Sequence, residues 1–192
     1  MPSIDLLLHE PVLFYTGTLL LGLVIGSFLN VVIHRLPRMM TEAWRRDCAE
    51  VQGEVPGQDG APSLSLAYPG SRCPHCGHAI AALENIPILS YLFLRGRCSA
   101  CGASIGLRYP LIEAITALLS VAVVWRFGPE WEAAAALVLT WGLVALAGID
   151  LDTQLLPDAI TQPFLWFGLL LSLGGLFTDT QSAVLGAAAG YL

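Results

Sequence analysis

The sequence predicts an all-α polytopic membrane protein with a small cytoplasmic zinc-ribbon-like loop domain. Three observations carry that prediction. Hydrophobic residues make up 55% of the chain and charged residues only 12%, with a mean hydropathy of +0.67, far from the balance of a water-soluble domain. Several nearly uncharged stretches are long enough to cross a hydrocarbon core of about 30 Å as helices. Two Cys-x-x-Cys pairs stand in the polar sequence between the first two of these stretches.

Taken in order, the first apolar run is Pro11–Ile33. It is too long for a secretory signal and runs on into arginine-rich sequence without a small-residue cleavage site. Gly22 and Gly26 in it form a small-xxx-small pair suited to close helix contact, with Ser27 and Asn30 as polar packing residues beside them. A polar segment follows, in which Pro56, Gly57, Gly60 and Pro62 suit an irregular linker. Three further spans are expected at Tyr109–Trp125, Trp131–Ile149 and Ala159–Phe177. A fifth begins at Ser182 and reaches Leu192 after 11 residues, about half of the ~20 that a span requires, so the chain is expected to be a fragment. The resulting divisions are residues 1–36 as an N-terminal segment with the first transmembrane helix, 37–108 as a cytoplasmic loop, and 109–192 as a transmembrane region.

Charge sets the orientation. The chain has no lysine, and eight of its nine arginines fall between Arg35 and Arg108, Arg126 being the other. Positive charge favours the cytoplasmic side, which puts the loop there and the N-terminus, with Asp5 and Glu10, outside. The net charge of −6 says little, because acids and arginines are segregated by topology. The pattern calls for a lipid bilayer as surroundings, with no nucleic acid as partner.

Cys73-Pro-His-Cys76, 21 residues and Cys98-Ser-Ala-Cys101 read as a four-thiolate zinc site. Disulfides are the weaker account in a reducing compartment. Four thiolates close a tetrahedral shell and leave no position for water or substrate, so this zinc is expected to brace the loop and do no chemistry. His75 and His78 are expected to face solvent, and Cys48 to be a bystander. Ile86–Leu94 between the knuckles is apolar but too short to span; it either lies on the bilayer face or forms a small core strand or turn.

The run Ile149–Asp158 places Asp150, Asp152 and Asp158 directly after a greasy segment. A carboxylate at a membrane edge is costly and therefore a candidate for chemistry. Peptide hydrolysis by carboxylates needs two together, one ionised to activate water and one protonated to polarise the carbonyl. Asp150 is the leading candidate. Asp152 points to another helix face, Asp158 suits a helix N-cap after Pro157, and Asp179 belongs at the opposite membrane face. For Glu113 the helix dipole is a sufficient account, with a place in a polar pocket as the alternative.

Gly26-Ser-Phe-Leu-Asn30, His34-Arg-Leu-Pro37, the double Cys-x-x-Cys, Arg108-Tyr-Pro110 and the Asp150–Asp158 run together resemble the type IV prepilin peptidases of bacteria. The resemblance implies a bifunctional inner-membrane enzyme. An aspartic endopeptidase would remove the leader of prepilins or pseudopilins at the cytoplasmic face, and an N-methyltransferase using S-adenosyl-L-methionine would modify the new terminus. The family's first catalytic aspartate falls on Asp150. Its second lies in a Gly-x-Gly-Asp motif that does not occur in these 192 residues, so half of the dyad is expected here and no peptidase activity from this portion alone. The family's acid after a Met-Met pair is displaced, since Thr41 separates Met39-Met40 from Glu42. The rival reading from the residues is a non-catalytic membrane-anchored zinc-ribbon scaffold.

Overall fold

The computed structural model describes residues 10–53 and 64–191. Its long elements are helices: α1 Pro11–Val51, α2 Leu89–Phe93, α3 Arg108–Phe127, α4 Trp131–Thr153, α5 Asp158–Leu173 and α6 Thr180–Tyr191. Among the described residues no strand forms. Two isolated antiparallel bridges, Arg72 with Ala79 and Arg97 with Ser104, are the extended pairings among those residues. The proline- and glycine-containing linker around Pro56–Pro62 lies outside the described residues.

Helix α1 departs from the expected span. It begins with Pro11 at its first position, where the fixed φ and missing N–H suit a helix start. It then runs 41 residues, through Pro37 and on to Val51, so residues 37–51 are helix and not loop. A proline inside a helix removes one ladder bond and costs about 3 kcal/mol. Buried packing of Pro37 and the good helix formers after it offset that loss. At 1.5 Å per residue such a helix is about 60 Å long, roughly twice a hydrocarbon core. Its second half, with Arg38, Arg45 and Arg46, therefore projects from the apolar zone.

Helices α1, α3 and α4 are each long and apolar enough to cross a membrane. Helix α5 is shorter than the expected Ala159–Phe177: it stops after 16 residues at Gly174-Gly175, where Gly175 adopts φ +66° and its N–H bonds the Ser172 carbonyl. Sixteen residues reach about 24 Å. Gly128, at φ +71°, turns α3 into α4, and left-handed Gln154 closes α4 by donating its N–H to the Asp150 carbonyl at 2.8 Å.

The small-xxx-small pair meets α3. A Cβ on Gly22 would lie 2.6 Å from the Ala117 Cα, and one on Gly26 would lie 2.7 Å from the Glu113 Cα. Lipid supplies no hydrophobic drive between helices, so contact this close gives the dispersion that joins them. Helix α4 joins through Leu29, Val32 and Ile33 of α1 packed with Ala145 and Ile149, while Gly148 leaves room for Ile33. The Trp141 indole donates to Ser120 Oγ at 2.9 Å, tying α4 to α3. Outward residues remain apolar: Leu20, Val24, Leu118 and Leu143 are each more than half exposed, a surface suited to lipid.

Gly26→Ala should lower stability by about 1–3 kcal/mol, the usual penalty for overpacking against backbone. Gly17→Ala, which meets nothing within 4 Å, should leave stability unchanged or raise it by up to ~1 kcal/mol through helix propensity. Thermal unfolding in detergent distinguishes them; equal midpoints would contradict the α1–α3 contact.

Candidate functional site

Each cysteine pair sits on a turn built the same way. Residues 72–80 and 97–105 both read Arg-Cys-x-x-Cys-Gly-x-Ala/Ser-Ile. In the first, the Cys73 N–H donates to the His78 carbonyl and the Gly77 N–H to the Cys73 carbonyl; in the second, Cys98 pairs with Ala103 and Gly102 with Cys98. Gly77 and Gly102 both adopt φ +72°, a left-handed conformation that glycine enters without strain. The two turns face each other. The sulfurs of Cys73, Cys76, Cys98 and Cys101 all lie within 4.8 Å of one another, with Cys73–Cys101 at 3.9 Å and Cys76–Cys98 at 4.0 Å. A tetrahedral zinc with bonds of ~2.3 Å sets its sulfurs about 3.8 Å apart, so the four fit that ion. The N–H groups of Cys76 and then His75 hold the Cys73 thiol down to about 7. The His78 N–H acts on Cys76 in the same sense, but desolvation and the other three sulfurs outweigh it and push Cys76 up to about 12. Crowded thiolates of this kind need a cation to ionise together.

His78 does not simply face solvent. Its Nε2 lies 3.2 Å from Glu84 Oε2 and 3.3 Å from Ser99 Oγ, linking the two knuckles. Glu84 also accepts the Ala81 N–H at 2.9 Å. The Ser99 hydroxyl first, then the Ala81 N–H and the histidine hold the Glu84 carboxyl below its ordinary range.

The apolar run between the knuckles forms the short helix α2 and not a strand, with Leu89, Leu92 and Phe93 exposed. Just before it, Ile88 adopts φ +57°, a strained conformation for a β-branched residue. Its N–H donates to Glu113 Oε2 at 2.7 Å. The dipole account of Glu113 therefore gives way: the residue is the sixth of α3, past the first turn, and only 8% exposed. Asn30 on α1 donates to the Tyr109 carbonyl at 3.1 Å, as its place in the helix interface suggested.

These elements enclose a cavity of about 520 Å³ between the Asn30–Arg38 face of α1, the knuckles and the start of α3. Arg38, Tyr91, Tyr109 and Glu113 are among its lining residues. Its size lies within the ~300–1,000 Å³ of small-molecule sites. Sequence reading missed this cavity, because its walls come from segments about 80 residues apart; the only local sign was an acid one helical turn past Tyr109-Pro110.

Asp150 lies elsewhere. It is exposed in the last turn of α4 and does not line the cavity. Two residues on, Asp152 pairs with Arg108, whose second nitrogen donates to the Gly148 carbonyl at 3.0 Å. A cation is well placed on those terminal carbonyls. Asp158 is the first residue of α5, Pro157 is its cap, and no capping bond forms from a side chain, so the N-cap expectation fails there. The acid that does cap is Asp179, whose Oδ2 accepts the Ser182 N–H at 2.9 Å.

Residues 20–127 match the Bacterial Peptidase A24 N-terminal domain, and residues 137–192 match the Type IV leader peptidase family. The chain is 52% identical over 192 residues to a prepilin leader peptidase/N-methyltransferase of Pseudomonas aeruginosa and 50% identical to one of Stutzerimonas stutzeri; each match covers 100% of this chain and 66% of the relative. A protein of the same name from Aeromonas hydrophila is 54% identical over 184 residues, 95% of this chain and 63% of the relative. The chain thus spans just under two thirds of the length of these relatives. No solved structure matches it. Two adjoining domain matches in family order, with half or more of the residues shared along the chain, place this protein in the type IV leader peptidase family.

Proposed function

We propose that the chain belongs to a bacterial inner-membrane aspartic endopeptidase that removes the leader of type IV prepilins or pseudopilins on the cytoplasmic side and then N-methylates the new terminus. The observation that carries this reading is the 52% identity over the whole chain to a relative named for both activities. Asp150 supplies one carboxylate of the hydrolytic pair, and the second comes from a Gly-x-Gly-Asp motif outside these residues. Its position supports the role: α4 delivers it to water at the end of an apolar helix, where the junction of a charged leader and a membrane-seated pilin helix would lie. Arg108 fixes that helix end through Gly148 and Asp152. An ionised Asp150 would draw a proton from water while its protonated mate polarises the scissile carbonyl.

Zinc on Cys73, Cys76, Cys98 and Cys101 is structural, holding the two knuckles as a ribbon-like unit over the cavity. S-adenosyl-L-methionine suits the cavity itself. Arg35, Arg38 and Arg72 offer charge for its carboxylate, and Tyr91 and Tyr109 offer faces for its base. When bound, this donor supplies an electrophilic methyl group. The chain's residues position it and close the site from the lipid side. Positive-inside charge puts knuckles, cavity and Asp150 together in the cytoplasm.

In the full-length protein, Asp150→Asn should reduce leader removal by about 10²–10⁴-fold, the range for losing an acid–base group, with zinc content unchanged. A gel-shift assay of prepilin processing reads this out, and unaltered cleavage would return the scaffold reading. Cys73→Ser should lower bound zinc, measured by metal analysis, and raise protease sensitivity of the knuckle region. A protein equally stable under strong chelation would remove the metal from this account.

A further inference from the structure

We propose that Glu113 is the group that receives the substrate's primary amine in the cavity and takes its proton before methyl transfer, an inference that rests on the methyltransferase reading above. Three observations lead there. Glu113 is buried, lines the cavity, and forms no ion pair among the described residues. A buried carboxylate without a cation is disfavoured unless a guest supplies the charge. The other acid of the cavity, Glu84, is already engaged by His78 and the Ala81 N–H. Glu113 Oε2 is fixed by the Ile88 N–H at 2.7 Å, and even with Ser27 beside it the carboxylate keeps lone pairs free, since it offers about four.

Depth agrees with this assignment. Glu113 stands five residues beyond Arg108, about 8 Å further along α3 at 1.5 Å per residue. That is the level at which the fresh terminus of a membrane-seated apolar helix would arrive. The histidines and arginines on the cavity wall are His34, Arg35 and Arg38 on α1, and Arg72, His75 and His78 on the knuckles. They oppose a second cation elsewhere and leave Glu113 as its place.

An α-ammonium gives one proton to the Glu113 carboxylate, leaving a neutral amine with a free electron pair. That pair forms an N–C bond to the methyl carbon of a sulfonium donor, and the breaking C–S bond returns its electrons to sulfur as a neutral thioether. The new secondary ammonium and the protonated Glu113 then release their protons to water.

The test uses the full-length protein in detergent with a short apolar peptide bearing a free α-amine, its N-acetylated twin, and the sulfonium donor. Glu113→Gln keeps an oxygen acceptor for the Ile88 N–H but cannot take a proton, and its zinc content and unfolding temperature serve as the check on folding. Methylation should fall by about 10²–10⁴-fold and recover partly as pH rises past ~8, where the amine deprotonates unaided. In calorimetric binding the free-amine peptide should bind the wild type at least tenfold more tightly than its acetylated twin, and that preference should vanish in E113Q. A folded E113Q with the wild-type rate and pH profile overturns the inference while leaving the methyltransferase reading intact. So does an E113Q that loses affinity for the donor and not for the peptide. A wild type that methylates nothing overturns both. Should E113Q fail the folding check, the wild-type preference for the free amine decides, and equal binding of the two peptides overturns the proposal.

Discussion

The close approach of α1 and α3 at Gly22 and Gly26 is the constraint on which the remaining architecture depends. With no side chain on either glycine, the α1 backbone reaches the Cα atoms of Ala117 and Glu113. In lipid this contact stands in for the hydrophobic effect. It also places Asn30 on the Tyr109 carbonyl and holds Glu113 at the cavity. A bulkier pair on α1 would move α3 outward and open the walls of the cavity together.

Above that contact, charge and sulfur take over from packing. The knuckles have little apolar core of their own: Cys73 is buried, while Leu83, Leu89 and Phe93 are exposed. Paired hydrogen-bonded turns set the four sulfurs at the separations of a tetrahedral ion, and the bridge from His78 to Glu84 and Ser99 joins one turn to the other. The Ile88 N–H on Glu113 ties this unit to the membrane helices. One buried carboxylate thus stabilises a strained backbone turn and faces the space where a guest would bind.

The site near Asp150 has a different character. Arg108 spans from the start of α3 to the end of α4, pairing with Asp152 and a terminal carbonyl, so Asp150 stands on an anchored helix end while remaining open to solvent. The cavity and this acid do not share lining residues. Asp150 and the cavity therefore have separate places near the same end of the helical bundle.

Local sequence determined the apolar helices, the small-residue pair, the thiolate quartet and the acid at the α4 terminus. Each is written in composition or spacing over a few turns, which is where hydrocarbon length and metal geometry act. It misjudged where helices end: α1 passes Pro37 because tertiary burial offsets a lost ladder bond, and α5 stops at Gly174-Gly175 before its apolar run is finished. It also misassigned Asp158, which follows the capping Pro157, and Glu113 and His78, whose partners Ile88 and Ser99 lie 25 and 21 residues away along the chain. What only the tertiary structure decided is the cavity, since Asn30, Ile88 and Glu113 meet through folding, and hydrogen bonds across such separations leave no periodic trace in sequence.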